Sequence, residues 1–167
     1  MPSASEHAEH MKEILAAWST DSIVKRRRLE EKLRETPFVR YHCRATGIYG
    51  YAKPADVYFP EEELLAYFDG SKVAKFIVTS YSKSAWELLT ELGVGSIPRC
   101  FEVAYGDPPY SHRSTGGERI KNYVIDGLGE YLARIAKEPD EAERTNMSLT
   151  LWRYLVAHAE SAYNVFQ

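Results

Sequence analysis

Cysteine is scarce. Cys43 and Cys100 are the two in 167 residues, with neither C-x-x-C spacing nor the density of a disulfide framework. Free, buried thiols of a reduced cytoplasmic protein are therefore expected. Long apolar runs are missing as well, and nothing approaches the roughly 20 residues a membrane-spanning helix needs. The segment Met1 to His10 is polar and acidic, which speaks against a secretory signal peptide. Charge of one sign is also in short supply. With 21 basic and 24 acidic residues the formal net charge is −3, so no global field draws the chain to nucleic acid or acidic membranes. Five dispersed histidines and two distant cysteines give no metal-ligand set. The acid clusters Glu61 to Glu63 and Asp140-Glu141 sit in surface-like contexts, so no general acid/base pair stands out. No cofactor motif is present, and none is expected to bind.

Aromatics are plentiful: twelve tyrosines, six phenylalanines and three tryptophans. A tyrosine joins a large apolar area to a polar tip, which suits the rim of a core or a partner surface. The rest of the composition, 44% hydrophobic and 27% charged, is that of an ordinary globular domain.

Periodicity orders the chain. Met11, Ile14, Leu15 and Trp18 share one helical stripe, and a more charged helix spans about Ser22 to Glu35, stopped before Pro37. Val39, Tyr41 and Cys43 alternate with Arg40, His42 and Arg44, predicting a half-buried strand. Thr46-Gly47 turns it into a return strand over Ile48 to Lys53. Pro60 and Glu61 to Glu63 predict a helix start with Leu64, Leu65 and Phe68 inside and Gly70 at its end. Val73 to Thr79 is expected to be a strand. Ser84 and Glu87 read as a capping box for a helix carrying Leu88, Leu89 and Leu92. Phe101, Val103 and Tyr105 alternate as another strand. A Gly/Pro/Ser-rich loop is expected over 106–122. Ile125, Leu128, Leu132 and Ile135 resume helical spacing, with Asp126 read as the cap. Leu149, Trp152, Val156, Ala159, Tyr163 and Phe166 then form the seam of a long amphipathic helix. The seam runs almost to Gln167, which predicts that the parent chain continues. The expected architecture is one mixed domain over 1–167, of class α+β: a small, mainly antiparallel sheet with packed helices and a C-terminal helical pair.

Three groups of residues could bind something. Arg40, His42 and Arg44 would project from one sheet face as a cradle for phosphate or carboxylate, or form the polar face usual in antiparallel sheets. The run Lys25 to Arg28 covers all sides of a helix and is followed by Glu30 and Glu31, so it reads as charged helix surface. The loop Ser111 to Arg119 carries His112, Arg113, Arg119 and two glycines, and could hold an anion through backbone amides. It lacks the G-x-x-x-x-G-K-[ST] phosphate loop and also reads as plain surface. Asp126-Gly127-Leu128-Gly129 approaches a D-x-G-x-G box but puts Leu128 where glycine is required.

Several stretches resemble one family. They are Leu33-Arg34-Glu35-Thr36-Pro37-Phe38-Val39, Lys53-Pro54-Ala55-Asp56-Val57-Tyr58-Phe59-Pro60 and Glu63-Leu64-Leu65-Ala66-Tyr67-Phe68. They look like the segment that follows the ATPase module in large sacsin-like bacterial proteins. Leu88 to Val94, Ile125 to Leu128 and the Ser148 to Leu155 stretch, with Leu151-Trp152, extend the likeness. It implies a parent with a histidine-kinase-like ATPase domain upstream; no ATP-binding residue carries over. The reading is a non-catalytic scaffold or interaction domain contacting neighbouring domains of its parent. Self-association is expected through the last helix at Trp152, Tyr163 and Phe166. The alternatives are a nucleic-acid-binding module using Arg40, His42, Arg44 and Lys25 to Arg28, and an enzyme built around His112.

Overall fold

A computed structural model describes residues 4–78, 82–103 and 122–164. The fold class is α+β, with helices around a three-stranded antiparallel sheet, a separate two-stranded sheet and a C-terminal helical pair. The chain divides into two compact units, Met1–Ile97 and Pro98–Gln167.

In the first unit, α1 (Ala4–Trp18) buries Met11 and Ile14, the first two residues of its predicted stripe, with Leu15 and Trp18 partly buried against the core. Ser22 caps α2 (Ile23–Glu35) by accepting from the Lys25 amide. The two helices are clipped together by a triad. The Trp18 indole N–H donates to Glu30 Oε1 at 2.8 Å, and Arg26 Nε donates to the same oxygen at 3.1 Å. The Arg26 guanidinium lies 4.1 Å over the indole ring. The bond from Trp18, with the Arg26 hydrogen bond and charge, holds the Glu30 carboxyl below the usual carboxylate range against the opposing effect of burial.

Strands β1 (Val39–Cys43) and β2 (Ile48–Ala52) form the predicted hairpin, in register from Val39 opposite Ala52 to Cys43 opposite Ile48. Gly47, at φ 67°, makes the turn. Tyr41 faces Gly50 across the ladder, and its ring lies so close that a Cβ at position 50 would meet it at 2.9 to 3.0 Å. Strand β3 is only Phe76–Ile77, on the other side of β1. The expected strand over Val73 to Thr79 is thus cut short: Val73 stands 73% exposed, and Thr79 lies outside the described residues.

What pairs here instead is a segment that alternation does not mark. After a 3-10 turn at Pro54–Asp56, Val57, Tyr58 and Phe59 are buried almost completely. The Tyr58 amide donates to the Lys75 carbonyl and the Ile77 amide to Tyr58, while Phe59 and Gly95 tie the other side. Isolated parallel bridges at Tyr58 to Phe76 and Gly95 result. Pro60 lies before the cap of α3 (Glu62–Tyr67) rather than at its first position, because Glu61 is still extended. Helix α4 (Lys83–Glu91) is capped by Ser82, whose Oγ accepts from Ala85 N; the Ser84 box does not form because Ser84 already lies inside the helix. Trp86 stacks on Phe59 at 4.2 Å, and Ala85, Leu88, Leu89, Leu92 and Val94 complete the core.

In the second unit, β4 (Cys100–Val103) pairs antiparallel with β5 (Asn122–Ile125), then α5 (Leu128–Lys137) and α6 (Glu141–Asn164) follow. Two expectations are corrected. Ile125 belongs to a strand rather than to the α5 stripe, since its partner Cys100 lies directly across the ladder. Asp126 is not the cap: Gly127 occupies that position at φ 71°, and the Asp126 amide bonds back to Arg99. Tyr105 and residues 106–121 lie outside the described residues. Both thiols are free, but Cys100 is exposed, which corrects the expectation of two buried thiols.

Candidate interaction surface

Helix α6 starts where its sequence allows. Pro139 cannot extend α5, and Asp140 Oδ1 accepts from the Glu143 amide at 2.8 Å, with Glu141 and Glu143 in the positive first turn. Its inner side is held at three levels. The Tyr131 hydroxyl of α5 donates to the Met147 carbonyl at 3.2 Å, and Tyr131 itself is buried. Thr150 and Tyr154 are buried a turn apart. His158 Nε2 lies 2.6 Å from the Pro98 carbonyl. A carbonyl only accepts, so that nitrogen carries the proton.

Because this side is the buried one, the predicted seam faces outward. Leu149, Trp152 and Val156 are 57%, 65% and 47% exposed, and Ala159 is exposed beside them. On α5 the anchor is Tyr131, while Leu132 of the predicted stripe is exposed. The reason that the seam faces outward lies in the composition of α6. Met147, Leu151, Tyr154 and Leu155 make a second apolar stripe at the same helical spacing, and only one of the two can face the unit's interior. The outer stripe lines an open groove of about 500 Å³ together with Asn146, Arg153 and Ala157. The Arg153 guanidinium is held at the groove by donating to Thr150 Oγ1 at 3.0 Å. Of the residues expected at an interface, Trp152 lies on this surface; the side chain of Tyr163 and all of Phe166 lie outside the described residues.

The basic candidates are only partly gathered. Arg40 and His42 do share a face of β1, and Tyr49 on β2 joins them. The His42 ring stacks on Tyr49 at 4.3 Å, and the Arg40 guanidinium lies 5.8 Å from the same ring. His7 of α1 reaches this hairpin with its ring 5.6 Å from Tyr51; burial, then the charges of Arg40 and His10, hold its imidazole below the ordinary value. Arg44 is not in the strand: it lies in the turn beyond Cys43. Arg26 is occupied by Glu30, while Lys25, Arg27 and Arg28 are exposed. His112, Arg113 and Arg119 lie outside the described residues. Among the described residues no three His, Cys, Asp or Glu side chains gather as a metal site, and no helix is long and apolar enough to cross a membrane.

The stretches Leu33 to Val39, Lys53 to Pro60 and Glu63 to Phe68 fall mainly on core positions. Leu33, Phe38, Val39, Pro54, Val57, Tyr58, Phe59, Leu64, Tyr67 and Phe68 are all buried, whereas Trp152 of the Ser148 to Leu155 stretch is open. No family model matches the chain, nor does any curated protein or solved structure.

Proposed function

We propose that this chain is a non-catalytic interaction domain of a larger, sacsin-like ATPase protein, and that it docks through the outer face of α6. The observation that carries the reading is the row of Leu149, Trp152 and Val156 exposed a turn apart from one another beside a groove. A single exposed leucine needs no explanation, but large apolar side chains aligned on a groove suit a partner. Tryptophan and arginine are also the residues that most often dominate binding energy at interfaces. The sacsin-like parentage rests on the sequence stretches quoted above. Because those stretches lie in the core, they speak for a shared scaffold rather than for shared chemistry.

The test is a photo-crosslinking amino acid placed at Leu149 in cells, with Lys12 on the exposed side of α1 as control. The reading expects a discrete adduct from position 149 that position 12 does not give. Equal or absent adducts at both positions would refute it.

A further inference from the structure

Two arginines of the first unit lie by aromatic rings, and only one of them meets a carboxylate. Arg26 sits 4.1 Å over the Trp18 ring and also donates to Glu30 at 3.1 Å. Arg40 is half-buried on the central strand β1 and stands 5.8 Å from the Tyr49 ring, yet among the described residues it makes no ion pair. An arginine drawn partly out of water is ordinarily paired. The charge of Arg40 acts on its surroundings: after burial, it is the next cause that holds the His7 imidazole below its ordinary value. Exposed Arg44, in the turn that follows β1, is a second cation with no ion pair among the described residues. The whole chain carries a net charge of −3, so this excess of positive charge is local.

A flat ring stands beside Arg40. Tyr49, on the edge strand β2, is 53% exposed and stacks one face on His42, directly across the ladder, at 4.3 Å and 21°. Arg40 stands off beyond the separation of touching atoms, about 3.5 to 4 Å, so its guanidinium does not cap the ring. We propose that this face of the β1–β2 hairpin binds single-stranded nucleic acid, with a base stacked on Tyr49 and the adjoining phosphate held by Arg40. Every base has a π-face, so such stacking tolerates any sequence, and it needs a strand whose bases can be splayed out. The planar fork of an arginine suits two phosphate oxygens at once. An acidic peptide would answer the charge of Arg40 but leave the tyrosine ring unused. Stacking on His42 holds Tyr49 in place before the strand arrives, which lowers the ordering cost of binding. One base and one or two phosphates make a short contact, with a dissociation constant of about 1 to 100 µM that depends strongly on salt. The site lies on the first unit and is independent of the reading of α6.

Fluorescence anisotropy of a labelled, mixed-sequence RNA of about 12 nucleotides, titrated with the full chain, tests the proposal. The expected result is saturable binding at about 20 mM salt that weakens steeply by about 200 mM. Tyr49→Ala should lower the affinity about ten- to hundredfold with the salt slope unchanged, while Tyr49→Phe keeps the affinity. Arg40→Gln should weaken binding and flatten the slope of log affinity against log salt by about 0.7, the share of one phosphate on a single strand. Neither position belongs to the core cluster, and unchanged far-UV circular dichroism shows that the variants remain folded. No binding at low salt, a Tyr49→Ala variant that binds like wild type, or a duplex of the same sequence bound as tightly would each overturn the proposal. Inorganic polyphosphate or adenosine monophosphate competing as well as the unlabelled RNA would also overturn it, reducing the face to a plain anion site or a free-nucleotide site.

Discussion

Gly95→Ala puts a methyl group where the buried Tyr58 ring lies. An ideal Cβ at position 95 falls 2.7 Å from Tyr58 Cδ1 and 2.9 Å from its Cε1. Real Cβ atoms do not come that close, so either the backbone or the ring must move. The backbone is pinned on both sides, by Gly95 N to Val57 O at 3.0 Å and Phe59 N to Gly95 O at 2.8 Å. The ring is 1% exposed and packs against Phe68 at 4.9 Å and Phe76 at 6.1 Å. Overpacking of this kind costs about 1 to 3 kcal/mol. Gly93 makes a useful contrast two residues earlier. Nothing lies near its would-be Cβ, but φ is +95°, so alanine there is strained by the backbone alone, at about 1 kcal/mol. The mechanisms separate in a double-mutant cycle. Tyr58→Ala costs roughly 3 to 5 kcal/mol by itself and removes the obstacle. In that background Gly95→Ala should become nearly neutral, a coupling of at least about 1 kcal/mol, while Gly93→Ala keeps its full cost. Urea denaturation read by tryptophan fluorescence, with Trp152→Phe in every protein, reports on Trp18 and Trp86 of the first unit. Equal costs of Gly95→Ala in both backgrounds would refute the reasoning.

Three further outcomes follow from local geometry. Glu30 has a folded-state pKa below its unfolded value, so its contribution is complete above the unfolded carboxylate range and is lost as pH falls through the folded value. Wild type should therefore lose more stability than Glu30→Gln between neutral and strongly acid pH in parallel denaturant titrations, and parallel curves would contradict this. Ser82→Ala should cost about 1 kcal/mol in the same assay and Ser84→Ala close to nothing, because Ser82 Oγ accepts from the Ala85 amide; the reverse order would restore the Ser84 cap. In native protein a thiol reagent should label exposed Cys100 quickly and buried Cys43, whose thiol donates to the Lys72 carbonyl at 3.4 Å, only on unfolding; one common rate would contradict the burial assignment.

The elements that the sequence marks with a full local signal are where it predicts them. The hairpin is one: alternation over Val39 to Cys43 and a glycine at φ 67° agree on the same register. Helices α1 and α2 are others, with a stripe and a serine cap. The errors fall where two residues satisfy the same rule or where partners come from far away. Ser82 and Ser84 both suit a cap, and Pro60 can precede a cap as readily as follow it. Val57 to Phe59 is pinned by Lys75, Ile77 and Gly95, contacts that no local pattern encodes. Ile125 fits a helical spacing as well as a strand, and pairing with Cys100 decides for the strand. The same ambiguity hid the candidate site. Two apolar stripes of equal period run along α6, and Tyr131 and Pro98, through Met147 and His158, select the one that turns inward. Trp152 was visible in the sequence as an interface residue, but its exposure to solvent was not.

The claim on which the functional account stands is that the Leu149–Trp152–Val156 face of α6 is open in the dilute chain. Fluorine NMR of protein carrying 5-fluorotryptophan resolves Trp18, Trp86 and Trp152, assigned by replacing each with phenylalanine. At low concentration a soluble paramagnetic quencher should broaden the Trp152 resonance strongly and leave Trp86, stacked on Phe59, nearly untouched. A Trp152 resonance as protected as that of Trp86 in the dilute monomer would mean that the stripe is satisfied within the chain, and the docking surface would not exist.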